Sequence, residues 1–286
     1  MTRIGFVGAG TLGSALATRL AEQGYEVVAV SSRRRSSAEK LAERIVRCRV
    51  AEKSQEVAQL ADLVFITTPD DAIAPVVGAI QWRQGQMVVH CNGSASTDIL
   101  EHARRAGALV GSFHPLQTFA DLAEALRNLP GSAFAVEAEE PLHEILAQMA
   151  RDLGGQSFRL RAEDKVLYHA AAVITSNYTV ALMKMATDLW RSFGVPAAKA
   201  TQALLPLLRG TVNNIDKIGL PNCLTGPIAR GDVGTLRNHL NALRERAPGM
   251  VEAYRQLGLQ AIPIALEKGR ISPETAGQMK ALLESG

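Results

Sequence analysis

The stretch Met1–Ser14 constrains this chain more than any other. A short apolar run, Ile4 to Val7, is followed by Gly8, Gly10 and Gly13 in G-x-G-x-x-G spacing, with Thr11 and Leu12 between the last two. An amphipathic run from Ser14 to Gln23 comes next and stops at Gly24. That order predicts a strand, a glycine turn and a helix. The first glycine lets the chain turn sharply, the second lets a pyrophosphate approach bare backbone, and the third lets helix and strand pack closely. Free N–H groups and the positive end of the helix dipole then face the phosphates. Gly8, Gly10, Thr11, Leu12 and Gly13 are therefore candidate cofactor-binding residues.

Alternation continues through the first half. Glu26–Val30, Cys48–Ala51, Asp62–Thr67, Gln86–Cys91, Ala108–Phe113, Ala133–Val136 and Ser157–Leu160 read as strands, separated by helical runs such as Ala38–Val46, Ala72–Ile80 and Thr97–Ala106. Near-continuous apolar strands between helices predict a mostly parallel sheet of Rossmann type, covered on both faces. Near Ala162 the pattern changes to helices alone. Glu163–Phe193 holds no Gly or Pro and predicts one long helix, apolar on most of its circumference. Further helices are expected at Ala197–Ile218, Val233–Arg246, Gly249–Lys268 and Pro273–Glu284. The expected organisation is an α/β dinucleotide-binding domain over 1–161 and an all-helical domain over 162–286.

Composition excludes several classes. A net charge of +3 over 286 residues, with no basic tail, argues against a nucleic-acid partner. The three cysteines, Cys48, Cys91 and Cys223, form no C-x-x-C pair, so neither a disulfide framework nor a metal site is expected. No apolar run is expected to span a membrane, and the first strand starts too near Met1 for a signal peptide. A cytoplasmic setting follows from this reading.

The end of the second strand reads the adenine ribose, and an acid there would favour NAD. This chain has Ser31-Ser32-Arg33-Arg34-Arg35 and no acid before Glu39. Hydroxyls and clustered guanidiniums suit a 2′-phosphate, so NADP(H) is the expected cofactor, held by Ser32, Arg33 and Arg34. The alternative is a solvated basic loop, and which arginine points inward stays open. Thr68 and Pro69 end a central strand at the edge where ligands of open α/β sheets bind, and are candidates for the ribose and nicotinamide side.

With these segments in view, the chain resembles the family of Rossmann-like oxidoreductases that carry a C-terminal helical domain of unknown function. The matching strings are Gly8–Gly13, Thr68–Ile73, Phe113-His-Pro-Leu-Gln-Thr-Phe119, Tyr168–Val173 with Ser176-Asn177, and Leu224-Thr-Gly-Pro-Ile-Ala-Arg-Gly-Asp232 followed by His239-Leu240. The resemblance implies a helical domain similar to those of 6-phosphogluconate dehydrogenase, pyrroline-5-carboxylate reductase and ketopantoate reductase, where that domain contributes substrate contacts and often a dimer interface. One departure matters. Related β-hydroxyacid dehydrogenases carry a lysine and, four residues on, an asparagine; here Lys165 is followed by His169, and Asn177 comes later. The lysine mechanism does not transfer.

Two histidines are candidate proton donors. His114 follows a strand and precedes Pro115, which places it at the carboxyl edge of the sheet. On the long helix Lys165, His169 and Ser176 fall within about 40° of one another at 100° per residue. Asn177 is a candidate for orienting a substrate oxygen, and Ser176, Thr225 and Arg230 for binding substrate. Each has a structural alternative: a loop cap for His114, an interhelical hydrogen-bond cluster for His169, Ser176 and Asn177, and a helix cap for the nearby Asp232. His90, His102 and His143 are expected to be surface or edge histidines. The reading is an NADP(H)-dependent oxidoreductase acting on a small anionic carbonyl, imine or alcohol, and a homodimer is expected through the helical domain, because the helix Glu163–Phe193 is apolar on both sides. Ketopantoate-type 2-keto acid reduction leads. The other reading is a non-catalytic NADP(H)-binding dimer that senses redox state.

Overall fold

The computed structural model describes residues 2–285. They form two compact units divided between Ser176 and Asn177, later than the change of pattern near Ala162.

The N-terminal unit is an eight-stranded sheet: β1 (Arg3–Val7), β2 (Glu26–Ser31), β3 (Arg49–Val50), β4 (Leu63–Ile66), β5 (Met87–His90), β6 (Leu109–Pro115), β7 (Ala133–Ala138) and β8 (Gln156–Arg159). The order is β3-β2-β1-β4-β5-β6-β7-β8. The strands from β3 to β6 pair in parallel, β7 runs antiparallel to β6, and β8 is parallel to β7. This is the expected Rossmann-type, mostly parallel sheet. Because its crossovers are helices on both faces, the central strands are apolar on both sides; every residue of β4 is buried.

Side-chain alternation splits the unit into two apolar layers. On one face Phe6, Phe65, Phe113 and Phe134 form a ladder with ring centroids 5.1, 6.1 and 4.7 Å apart in turn. The other face gathers Val7, Val64, Ile66, Val77 and Val88. Ser112 and His114, flanking Phe113, therefore project on the side opposite the ladder.

Several helices differ in detail from the sequence expectation. Arg35–Ala42 replaces Ala38–Val46, and Asp70–Gly78 replaces Ala72–Ile80, which puts Pro75 beyond the first turn. Thr97–Ala106 divides into a 3-10 turn, Thr97–Leu100, and the helix Glu101–Arg105. A helix at Leu122–Asn128, capped by Asp121, was not expected. The long helix is interrupted: Lys165–Thr175 and Asn177–Arg191 meet at Ser176, a turn residue with φ −98° and ψ −68°. Contrary to expectation, the stretch Ala162–Arg191 is long and apolar enough to cross a membrane by length and composition. Its first half nevertheless inserts Lys165 into the sheet unit, where that side chain is 2% exposed.

The C-terminal unit is helical. Val233–Arg246, Val251–Glu267 and Pro273–Glu284 pack around Leu236, Leu240, Ile262, Met279 and Leu283. Asp232 and Ser272 cap the first and last of these, accepting the N–H groups of Thr235 at 2.9 Å and Thr275 at 3.1 Å. The pair Asn177–Arg191 and Ala197–Ile218 is different. Their only buried residues among those described are Thr187 and Ala200.

Candidate functional site

The carboxyl edge of the sheet is built by register. Val7 pairs with Ser31 and Ile66, Ile66 with His90, and His90 with Ser112, so these strand ends lie in one row. The glycine turn leaves that row after β1. Gly8 has φ +114°, and a Cβ there would meet the backbone of Thr67 at 2.6 Å. A Cβ on Gly13 would meet the Gly8 carbonyl at 2.7 Å and strike the Thr67 side chain. A Cβ on Gly10 would meet nothing within 4 Å, which leaves room for a ligand against bare backbone. The helix Thr11–Glu22 begins at Gly10 with no side-chain cap, so its first N–H groups are open to an anion. Gly10, Thr11 and Ser14 line a cleft of about 510 Å³ that also reaches Ser37, Lys40 and Arg44.

At the end of β2 the three arginines separate. Arg35 is engaged by Glu39 at 2.9 Å and Glu52 at 3.2 Å. Arg33 and Arg34 are exposed and have no ion pair among the described residues, which leaves these two as cations for a phosphate. Ser32 beside them is half-buried, and Ser31, within the strand, is buried. At the end of β4, Thr67 Oγ1 donates to the Gly8 carbonyl at 2.8 Å and locks the glycine turn. Thr68 Oγ1 is shut off from solvent with no partner among the described residues. Pro69 holds the N-cap position of the helix Asp70–Gly78, its carbonyl accepting the Ala72 N–H at 2.9 Å, with no side-chain cap. An open anion-binding helix end, two free guanidiniums and an orphaned hydroxyl fit a phosphorylated dinucleotide.

A cluster of ionisable groups lies at the ends of β5 and β6. His114 and His169 have ring centroids 6.3 Å apart, at 80° to one another. The Tyr168 hydroxyl bonds His114 Nδ1 at 2.7 Å, which fixes the ring's orientation and gives its two nitrogens different surroundings; which atom donates is set by the tautomer. Burial, with His169 and Lys165 nearby, pushes His114 down to about 4, so it is neutral at pH 7. His169 Nδ1 is shielded from solvent and has no hydrogen-bond partner among the described residues. Both rings press on Gly93: a Cβ there would stand 2.8 Å from His114 Nε2 and 2.9 Å from His169 Nδ1. The loop that carries Gly93 is rigid, because Asn92 Oδ1 accepts from Ser94 N at 2.7 Å and Ala95 N at 2.6 Å.

His90, expected at the surface or an edge, ends β5 at the carboxyl edge of the sheet but is fully buried rather than exposed. Its Nδ1 accepts the Asn92 N–H at 3.1 Å, so its proton sits on Nε2. Burial holds it down at about 3, neutral at any working pH. His102 is exposed, as expected, and His143 is half-buried.

The sequence candidates thus divide. His114 and His169 come together within the N-terminal unit, and Ser176 closes that unit at the helix break. Asn177, Thr225 and Arg230 belong to the C-terminal unit. There Gly226 at φ +93° and Gly231 at φ +70° shape the turn around the short helix Pro227–Arg230. Asp232 serves as the cap of the next helix. Arg230 has no ion pair among the described residues.

Three contributors escaped the sequence reading. Tyr168 is masked by its place in an apolar helical run. Ser112 and Glu137 reach the cluster only because β6 and β7 pair Ser112 with Glu137. A signal was available for Ser112, which stands two residues from His114 on one strand face, as Lys165 stands four from His169 on one helix face.

An edge of this kind, with a glycine turn of dinucleotide-binding geometry beside a cluster of ionisable groups, has the layout of nicotinamide-dependent oxidoreductases. Residues 3–93 match the family model described as NADP oxidoreductase, coenzyme F420-dependent, and residues 132–261 match a domain of unknown function, DUF2520. The chain thus joins a segment similar to the NADP-oxidoreductase dinucleotide domain to a segment similar to this helical domain of unknown function, as the sequence resemblance implied. Among solved structures, a presumed NADP oxidoreductase of Bacteroides fragilis is 27% identical, with 92% of this chain and 98% of that one covered and a TM-score of 0.72. A reductive aminase of Aspergillus terreus in complex with NADPH and ethyl levulinate is 20% identical, covering 98% and 99% with a TM-score of 0.66. A pyrroline carboxylate reductase of Plasmodium falciparum with NADP bound is 14% identical, covering 97% and 98% with a TM-score of 0.62. The last two show likeness of fold. No curated protein matches the sequence.

Proposed function

We propose that this protein is a reductase that uses NADPH to reduce a small anionic carbonyl or imine compound, with His169 supplying the proton and His114 orienting the substrate oxygen or nitrogen. The observation that carries this reading is the convergence of His114 and His169 on Gly93 at the carboxyl edge of the sheet. When bound, the nicotinamide supplies the hydride; the protein positions the substrate and manages one proton. Gly8, Gly10, Thr11, Leu12 and Gly13 hold the pyrophosphate, Ser32, Arg33 and Arg34 the 2′-phosphate, and Thr68 and Pro69 the ribose and nicotinamide side. Ketopantoate-type 2-keto acids lead the substrate list. Imines join them, because a reductive aminase and a pyrroline carboxylate reductase share the fold. The test is NADPH oxidation against a panel of 2-keto acids, cyclic imines and aldehydes. Saturable turnover of one class supports the reading; tight NADPH binding without turnover of any supports the redox-sensing alternative. A cytoplasmic setting belongs to this reading, since Cys48, Cys91 and Cys223 are all free thiols.

NADPH binds more tightly than NADH in this reading. Arg33→Ala and Arg34→Ala each weaken NADPH by about tenfold, the loss of one charge-assisted hydrogen bond of about 1.5 kcal/mol, and leave NADH nearly unchanged. Quenching of intrinsic fluorescence measures both; equal parent affinities would refute the assignment.

The protein is also proposed to be a homodimer through its C-terminal unit. The helices Asn177–Arg191 and Ala197–Ile218 expose Val180 at 70% and Leu207 at 69%, with Val212, Ile215 and Ile218 more than half or nearly half exposed. Such helices draw stability from burying an apolar face, and large exposed apolar surface is what an interface covers. Light scattering at micromolar concentration should give twice the chain mass. A stable monomer contradicts it, and Leu207→Lys should shift the equilibrium toward monomer.

A further inference from the structure

We propose that a buried clamp of Lys165, Ser112 and Glu137 sets the spacing of His114 and His169, which makes Lys165 a positioning residue; this rests on the reading of those histidines given above. Lys165 is 1% exposed and is the one lysine, arginine, aspartate or glutamate in the buried set among the described residues. Its Nζ donates to Ser112 Oγ at 2.6 Å and faces Glu137 Oε2 at 3.1 Å as an ion pair. The other carboxylate oxygen accepts from Thr97 N at 3.0 Å and Thr97 Oγ1 at 2.8 Å. Arg104 in turn donates to Thr97 Oγ1 at 3.0 Å. The ammonium is thus held by β6, by β7 and, through the carboxylate, by the turn after β5.

A well-packed apolar side chain at such a place is commonly as stabilising as a buried ion pair or more so. The charge is better explained by geometry. Ser112 and His114 share a face of β6 at a spacing of two, a step of about 6.7 Å at the usual strand rise. Lys165 and His169 share a face of the helix at a spacing of four, a step of about 6 Å at 1.5 Å per residue. The two steps nearly match. Fixing Lys165 on Ser112 therefore brings His169 beside His114 one step further along both elements. Tyr168, through its bond to His114 Nδ1, supplies a third point of attachment between strand and helix. Among the described residues the hydrogen-bond and ion-pair partners of Lys165 Nζ are Ser112 and Glu137, with no histidine among them.

The test uses the full chain and the double variant Lys165→Met/Glu137→Gln, which removes both charges together and leaves neither unpaired. Imidazole ¹⁵N NMR, assigned with His114→Gln and His169→Gln, should show His114 in one neutral tautomer in the parent. In the folded double variant the His114 signals should move to tautomer-averaged positions. Turnover of the best panel substrate should fall about 10²-fold, as for a misplacement of about 1 Å at a catalytic group, with NADPH affinity changed less than about twofold. A folded double variant with parental His114 signals and turnover overturns the proposal. Should that variant not fold, Ser112→Ala, which removes only a hydroxyl, decides on the same signals: a shift toward averaging supports the clamp and parental signals overturn it. If the parent reduces no panel compound, the proposed function fails while the NMR result still judges the clamp.

Discussion

His169→Ala should lower turnover by about two to four orders of magnitude, the usual contribution of a positioned general acid or base, and leave NADPH affinity nearly unchanged. The choice of His169 over His114 follows from their surroundings. His114 is neutral at pH 7 because burial pushes it down to about 4, and its Nδ1 is committed to Tyr168. A neutral, tethered imidazole can orient a substrate but has no acidic proton to give. His169 Nδ1 is shielded and unpartnered among the described residues, a costly state for a polar atom that a substrate atom would relieve. His114→Ala should cost less turnover than His169→Ala and raise KM more. Steady-state kinetics at saturating NADPH decides between them. A His169→Ala protein with full turnover and a lower melting temperature would show a core hydrogen-bonder instead.

Gly93→Ala should reduce turnover about 10²-fold, through displacement of about 1 Å at both rings. The added methyl would stand 2.8 Å from His114 Nε2 and 2.9 Å from His169 Nδ1, well inside ordinary contact. Something must shift. The loop cannot withdraw cheaply, since Asn92 Oδ1 ties it to the N–H groups of Ser94 and Ala95, and His90 Nδ1 accepts from Asn92 N. The rings therefore move. Overpacking of this sort typically costs about 1–3 kcal/mol, so a drop of a few degrees in melting temperature should accompany the kinetic loss. Gly93 is not among the glycines with positive φ, so backbone strain does not confound the result. Parental kinetics in Gly93→Ala would show that the two rings do not meet over this glycine in solution.

Much of this site is readable from local pattern. The glycine spacing after Ile4–Val7 announces the dinucleotide turn, because each glycine answers a short-range steric demand. The arginines after β2 are legible as a proposed phosphate site, because the ribose edge of such sheets lies at a strand end that hydrophobic alternation locates. Arg35 shows where such reading stops: its guanidinium is drawn off by Glu39 and by Glu52, and the latter approaches only when the chain folds back through β3.

The sequence by itself determined the Rossmann-type sheet, the helical second half, the cofactor class and the two histidines worth testing. All rest on periodicity and on steric rules that act within a few residues. Only the tertiary structure decided that the long apolar helix breaks at Ser176, that His90 is core, and that Lys165 turns inward to Ser112 and Glu137. It also brought Gly93, His114, Tyr168 and His169 into one cluster. These depend on strand register between β5, β6 and β7 and on which face of a helix meets the sheet. Such contacts join residues far apart in the chain, and their free energy exists only once the elements have packed, so no local pattern records them.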